Sequence, residues 1–256
     1  MTISIITATY NSEKTIANTI DSVFAQTFQD VDYWIIDGGS TDATMAIVQQ
    51  RNEQYHGRIH WVSEPDEGIY DAMNKGIQRC SGKVVGILNS DDFFTSPHVL
   101  QAIANYLEQH TAIQAVYGDV HFVQPERPTQ CTRYYSGRFF RNWLIPWGFI
   151  PPHPSFYVRK EVFDNYGYYN SRYRISADFE LIARLSYLHA IPMHYLPIDM
   201  VTMRMGGVST CSLQARWQGA KEIAAACRAL GIRTNLLFVT AKYPLKLLAA
   251  FCKKKQ

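Results

Sequence analysis

Two adjacent carboxylates, Asp91 and Asp92, follow the short apolar run Val84-Val85-Gly86-Ile87-Leu88, separated from it only by Asn89 and Ser90. Neighbouring acids repel each other, and a hard divalent cation shared with an anionic ligand such as a diphosphate is well suited to relieve that repulsion. An isolated Asp-Asp pair is ordinarily a solvated acidic turn, so its meaning depends on its surroundings. Several other residues are of types that bind or catalyse. Asp37 opens Asp37-Gly38-Gly39-Ser40-Thr41-Asp42, where it is positioned to accept a hydrogen bond from a base or ribose. Asp66 sits in the acidic turn Glu64-Pro65-Asp66-Glu67-Gly68, followed by Asn74 and Lys75. His153 is held between Pro152 and Pro154, Asp178 follows Ser176-Ala177, and Arg204 precedes a glycine turn.

The elements that must carry these residues are regular. Residues 2–9 form a β-branched run, the first strand, and Ile16, Ile20, Val23 and Phe24 mark one face of a following helix, with Asn11 or Ser12 as its natural cap. Residues 31–36 and 58–63 are the second and third strands. Gly38 and Gly39 permit a tight turn, Ser40 to Asp42 can cap the helix at about residues 43–51, and Asp66 and Glu67 can cap the one after the third strand. That third helix has Ile69, Ala72, Met73, Gly76 and Ile77 on one face, small enough to pack closely on a sheet. Residues 84–88 suit a strand buried on both faces of a parallel sheet, with a helix at 97–109 beyond. Successive strands thus end in polar or acidic loops on one edge, where open α/β sheets bind ligands. No Gly-x-Gly-x-x-Gly follows the first strand, which argues against a dinucleotide fingerprint.

Further along, residues 115–123 are a strand and 124–152 show little periodicity. So long an irregular segment reads as a lid or acceptor loop. Arg133, Arg138 and Arg141, interleaved with aromatics, suit a polar lipid or sugar rings as well as they suit plain aromatic packing with snorkelling arginines. Phe179, Ile182, Ala183 and Ser186 define a buried helical face behind a Ser176 cap. Asp178 falls in the first turn, where a carboxylate also complements the helix dipole, and Glu180 points about 200° away from it. Residues 194–202 are a strand and 212–230 a helix. The apolar tail from Asn235 to Phe251 ends in Cys252-Lys253-Lys254-Lys255; Lys242, Pro244 and Lys246 make it a poor membrane span. It suits the head-group region of an anionic leaflet, packing on the domain, or a homo-oligomer interface.

With 256 residues, 47% hydrophobic and 18% charged, the chain is globular and long enough for one large α/β domain with C-terminal additions. A formal charge of +3 is too small to make nucleic acid its partner. Five cysteines lack Cys-x-x-Cys spacing, so neither a disulfide framework nor a zinc site is expected. The first residues enter a strand with no basic n-region or apolar h-region. A cytoplasmic protein is expected, contact of its tail with the cytoplasmic face of the inner membrane being one of the roles left open.

In their order and spacing, Asp37-Gly38-Gly39-Ser40-Thr41-Asp42, Asp66-Glu67-Gly68-Ile69-Tyr70-Asp71-Ala72-Met73-Asn74-Lys75-Gly76 and Leu88-Asn89-Ser90-Asp91-Asp92 resemble the family 2 glycosyltransferases of GT-A fold, particularly bacterial enzymes assembling colanic acid, O-antigen and capsular polysaccharides. The resemblance is strong over residues 1–125 and looser over 150–210. It implies a GT-A domain at 1–210, with a nucleotide-sugar half at 1–125 and an acceptor half at 126–210, and a helical extension at 211–256. It further implies inverting transfer from a nucleotide sugar, most commonly UDP-linked and next GDP-linked, to a saccharide or lipid-linked saccharide, with Mn²⁺ or Mg²⁺ as cofactor.

By position, Asp37 resembles the aspartate that recognises the base, beside the turn of Thr7, Ala8, Thr9, Tyr10 and Asn11. Asp66, Asn74 and Lys75 fall in the donor pocket. Asp91 and Asp92 match the metal motif, although Ser90-Asp91-Asp92 is not a literal Asp-x-Asp and leaves open which acid meets the metal. His153 matches a histidine on the substrate or metal side, and Asp178 the catalytic base. Arg204, before the Gly206-Gly207-Val208-Ser209 turn found near the diphosphate, is a neutralising partner for a leaving phosphate or a surface arginine. A nucleotidyltransferase would carry a glycine-rich basic signature that Thr7-Ala8-Thr9-Tyr10-Asn11 lacks. A non-catalytic nucleotide-sugar binding or scaffolding protein is the other alternative.

Overall fold

A computed structural model describes residues 1–206 and 212–241. The first half alternates strand and helix: β1 (Ile3–Thr9), α1 (Ile16–Phe24), β2 (Val31–Asp37), α2 (Thr44–Gln54), β3 (Ile59–Ser63), α3 (Ile69–Arg79) and β4 (Val84–Ile87). Then come a two-residue β5 (Phe93–Phe94), α4 (Val99–Gln109), β6 (Ala115–Gln124), β7 (Arg127–Tyr135), β8 (Tyr157–Arg159), α5 (Lys160–Tyr166), α6 (Ala177–Ala183), β9 (Met193–Arg204) and α7 (Leu213–Ala229). The strands form one nine-stranded sheet in the order β3-β2-β1-β4-β8-β6-β9-β5, with β7 on β6.

Strands β3, β2, β1 and β4 pair in parallel, β8 runs antiparallel between β4 and β6, and β6 and β9 are again parallel to each other. Two antiparallel steps restore the original direction, so β9 points the same way as β4. Its last residue, Arg204, therefore emerges on the edge where β1 to β4 end, and β5, just after Asp91 and Asp92, pairs with β9 there through Phe93 and Thr202.

Alternation along the buried strands divides the core between two faces. Ile3, Ile5, Ile35 and Val84 pack with α1, α2 and α4, whereas Ile6, Ala8, Ile36 and Val85 pack with α3, α5, α6 and α7. The close approach expected of α3 is present: a Cβ on Gly76 would stand 2.4 Å from Cγ2 of Ile6.

Several local expectations are corrected. Residues 124–152 are not an irregular loop, because β7 pairs antiparallel with β6 and a 3₁₀ turn spans Asn142–Trp147. Nearly every residue of β7 is exposed, so it lacks the apolar alternation by which a strand is recognised. Helix α1 starts at Ile16 with Thr15 as N-cap and no side-chain cap bond, because Asn11 and Ser12 belong to the preceding turn. Gly68, at φ 131°, is the N-cap of α3, and neither Asp66 nor Glu67 caps it. Ser176 is the N-cap of α6 by position only, since its hydroxyl donates to Gly219 O on α7 instead. The Gly207-Val208-Ser209 turn and the tail beyond residue 241 lie outside the described residues. Among the described residues no helix is long and apolar enough to cross a membrane.

Candidate active site

Three loops are tied together where β1, β2 and β3 end. Asn11, at φ 49°, donates its N–H to Ser40 Oγ at 2.8 Å, and its Oδ1 accepts from Thr41 N at 2.9 Å. Asp37 is fully buried at the end of β2 and accepts from Ser40 N at 3.0 Å and Ser63 Oγ at 2.6 Å, with Ser40 Oγ on its other oxygen. Its carboxylate thus locks the β2 loop onto the end of β3. Gly38 allows close approach here, since a Cβ would meet Asp66 Oδ2 at 3.1 Å and the Tyr10 ring at 3.6 Å. The Tyr10 ring itself is 62% exposed, an aromatic face available for stacking. Asp66 is paired with Lys75, whose Nζ also meets Pro65 O at 3.0 Å and Asp71 at 3.2 Å.

The Asp91-Asp92 loop joins this edge from β4. Ser90 Oγ and Ser12 Oγ lie 2.8 Å apart, linking it to the β1 turn. Thr19, the one polar residue on the buried stripe of α1, donates towards Ser90 O and Asp92 O at 2.9 and 2.7 Å. Arg204 donates to the main-chain carbonyl of Asp91 and to Asn18 Oδ1 at 2.7 Å, and lies over the Phe93 ring at 4.9 Å. Asp92 is 1% exposed, and its carboxyl is pushed well above the usual range, first by burial and then by the charge of Asp91. Burial also raises Asp91, against the pull of Arg204.

This donor set fits a hard cation. Two oxygen-ligand carboxylates disfavour full ionisation together, the nearby Asn89 Oδ1 is buried without a partner, and Mg²⁺ or Mn²⁺ is commonly held by one or two carboxylates plus substrate phosphate oxygens. Among the described residues no group of three His, Cys, Asp or Glu side chains could hold an ion unaided. His153, Asp91 and Asp92 are thus not gathered into one such group among the described residues. His153 Nε2 lies 2.7 Å from the Tyr169 hydroxyl, and burial lowers the imidazole pKa, against the opposing charge of Asp178.

Asp178 begins α6 on the other side of α3. Its Oδ1 accepts from Phe179 N at 2.8 Å and from the Tyr70 hydroxyl at 3.2 Å; Oδ2 has no hydrogen-bond partner among the described residues. Tyr70, in the first turn of α3, stacks on Tyr169 with ring centroids 5.6 Å apart, and Tyr169 in turn meets His153. Tyr70 and His153 thus flank a carboxylate that keeps one oxygen available. Glu180 is turned away and paired with Arg184 at 2.8 Å.

Thr9, Tyr10, Asn11, Asp37, Asp66, Lys75, Asp91, Asp92 and Arg204 are therefore brought to one edge, with Asp178 beside the start of α3. Three expected residues are not. Thr7 turns into the core, its hydroxyl 3.1 Å from Tyr33 OH, and Ala8 contributes a buried methyl. Asn74 uses its whole amide on the main chain of Tyr169, accepting from N at 2.9 Å and donating to O at 2.8 Å. Residues without an assigned role in the sequence reading include Thr19, Tyr70 and Tyr169. The detectable signal is Thr19, a hydroxyl at helical spacing on an apolar face.

A family model described as glycosyl transferase family 2 matches residues 4–167. The PGL/p-HBAD biosynthesis glycosyltransferase of Mycobacterium tuberculosis (strain ATCC 25177 / H37Ra) is 29% identical over 237 residues, covering 92% of this chain and 89% of that protein. Among solved structures, S. aureus TarS 1–349 in complex with UDP-GlcNAc aligns at TM-score 0.66 and 21% identity over 88% of this chain and 66% of that one, so this chain spans slightly under two thirds of it. The mannosyltransferase PcManGT from Pyrobaculum calidifontis, in complex with GDP-Man and Mn²⁺, aligns at TM-score 0.60 and 17% identity over 96% of this chain and 80% of that one. Both structures have the GT-A architecture traced above, and the sequence match spans more than half of the chain. The chain belongs to glycosyl transferase family 2.

Proposed function

We propose that this enzyme moves a sugar from a nucleotide-sugar donor, UDP-linked first and GDP-linked second, to a hydroxyl of a saccharide or lipid-linked saccharide in bacterial surface polysaccharide or glycolipid assembly, inverting the anomeric configuration. The observation that carries this reading is the meeting, on one edge, of the nucleoside-side loops, the Asp91-Asp92 pair and Arg204, with Asp178 in the first turn of a helix packed beside α3. The donors bound by the two solved relatives, UDP-GlcNAc and GDP-Man, support the donor class. The PGL/p-HBAD biosynthesis relative supports a biosynthetic glycosyl transfer.

In this reading the base stacks on Tyr10, with Asp66 at its rim, and Asp37 holds the loop that receives it. Arg204 lies against the diphosphate and offsets its charge. Asp92 and Asp91 would hold Mn²⁺ or Mg²⁺, which when bound would supply Lewis-acid stabilisation of the leaving diphosphate. Asp178 Oδ2 takes the proton from the acceptor hydroxyl as its oxygen bonds to the anomeric carbon. The bond from that carbon to the diphosphate oxygen breaks on the opposite face, so one displacement inverts the centre.

A panel of UDP, GDP and dTDP sugars tests this, read by thermal shift and donor hydrolysis with Mn²⁺ and with EDTA. Stabilisation by one donor that disappears with EDTA is expected, with an inverted anomer in the transfer product by NMR. A folded sample that responds to none of them would point instead to a binding or scaffolding role.

A further inference from the structure

Three segments distant in sequence meet on a face away from the donor edge. The 3₁₀ turn Asn142–Trp147 is tied to the turn after α6 by Asn142 Nδ2 donating to Ser186 O at 2.9 Å. It is tied to the stretch beyond α7 by the Thr234 hydroxyl on Pro146 O and by Trp147 stacked on Phe238, centroids 4.7 Å apart. On this face Phe139, Trp143 and Leu237 are 74%, 68% and 78% exposed, and Tyr187, Leu188 and Phe238 are exposed beside them. A soluble surface rarely leaves such side chains grouped together without a use. A cleft of about 490 Å³ beside them, lined in part by Trp143, Ile191 and Met193, places the face at the amino end of β9. Arg204 at the far end of β9 is at most roughly 35 Å away at the rise of a strand.

The charge on this face has one sign. Residues 136–150, 184–192 and 228–241 contain no Asp or Glu, while Arg138, Arg141 and Arg233 are exposed. The chain then continues through residues 242–256 with five lysines and no acid. A symmetric contact between two copies would set these arginines against their own images with no carboxylate to pair them. Aromatic side chains ringed by arginines, with an apolar and basic continuation, match instead the boundary between acyl chains and anionic head groups.

We infer that this face docks the enzyme onto an anionic lipid bilayer, with Phe139, Trp143 and Leu237 entering the head-group region and Arg138 and Arg141 meeting the phosphates. The docking stands independently of the proposed transfer. If that transfer holds, nine residues, roughly 14 Å of helix, separate Asp178 from Tyr187 on the docked face, a span suited to an acceptor anchored in the same bilayer.

The test is co-sedimentation of the full-length protein with vesicles of phosphatidylcholine alone and of phosphatidylcholine mixed with phosphatidylglycerol, at low and high salt. Salt-sensitive binding to the anionic vesicles only is expected. The doubles Phe139→Ser with Trp143→Ser, and Arg138→Gln with Arg141→Gln, should each weaken it about tenfold while keeping thermal unfolding and donor-induced stabilisation. Lack of binding by a folded protein overturns the proposal, as does a self-associated protein that the Phe139 and Trp143 changes turn into monomer without any vesicle binding. Unchanged binding of both doubles, with complete loss in Lys253→Gln, Lys254→Gln, Lys255→Gln, overturns it in favour of the tail alone. The donor thermal shift, read on the same samples, reports separately on the transferase reading.

Discussion

The hydroxyl of Tyr70 lies 3.2 Å from Oδ1 of Asp178, across 108 positions of sequence, and the Phe179 amide meets the same oxygen at 2.8 Å. Both donors approach Oδ1, the Tyr70 hydroxyl sharing its proton with Ile175 O at 2.8 Å, and Oδ2 keeps no hydrogen-bond partner among the described residues; in the proposed reading Oδ2 is the atom that faces the acceptor. If Asp178 is the base, Asp178→Asn keeps the shape but removes proton acceptance. Transfer should then fall at least about a hundredfold, while donor-induced thermal stabilisation persists. Tyr70→Phe leaves the base present but less well oriented, with an expected loss of about tenfold in kcat and little change in donor KM. Full turnover in Asp178→Asn would remove it from the role.

Asp92 illustrates a site held at the expense of stability. Its buried carboxyl, raised by burial and by Asp91, resists ionisation in spite of Arg204 and Asn89 nearby, and a cation would relieve it. Asp92→Asn should therefore give a cation-free protein that melts at or above the wild-type temperature, yet loses the Mn²⁺-dependent stabilisation by nucleotide sugar. Differential scanning fluorimetry with and without Mn²⁺ and donor reads both effects. A variant that is less stable than wild type without cation, and still responds to Mn²⁺ and donor, contradicts the assignment.

Strands β1, β2 and β4 were legible because Ile3 to Ala8, Ile35, Ile36 and Val84 to Leu88 are buried on both faces, leaving near-continuous apolar runs, whereas β3, at the sheet edge, buries only Ile59. The convergence of the Asp37, Asp66 and Asp91-Asp92 loops followed from parallel pairing alone. Strand β7 was illegible because its side chains are mostly solvated and its pairing comes from the backbone. Asn74 and His153 were legible as polar residues near chemistry but not in their contacts, since both bond to Tyr169, which lies 95 positions from Asn74 and 16 from His153. Periodicity reports which face is buried and says nothing of partners so far along the chain.

Gly76 marks where α3 presses against β1. A Cβ there would stand 2.4 Å from Ile6 Cγ2 and 3.3 Å from Ile36 Cγ1, both within the packed core. Gly76→Ala gains helix propensity but forces the helix off the sheet, with an expected net loss of about 1 to 3 kcal/mol in urea unfolding. Because the same helix carries Tyr70 and Lys75, donor affinity should weaken with it. An unchanged midpoint would show that α3 shifts freely on the sheet.

His153 sets the behaviour in mild acid. Its imidazole is half-buried against the Tyr169 hydroxyl, and desolvation there lowers its pKa from the ordinary 6.5, an effect the charge of Asp178 offsets only in part. A lowered folded-state pKa means that near and below pH 6.5 the unfolded chain takes up a proton that the folded one refuses, so stability falls as pH falls through that window and is complete above it. Wild-type protein should accordingly lose unfolding free energy on going from neutral pH towards and below the lowered folded-state value. His153→Gln, which has no proton to gain, should be less stable at neutral pH through the altered contact with Tyr169 but show a shallower decline with acid. Urea titrations of both proteins across that range isolate the histidine by difference, since the carboxylates are common to the two. Parallel pH profiles would mean that His153 titrates alike in the folded and unfolded chains.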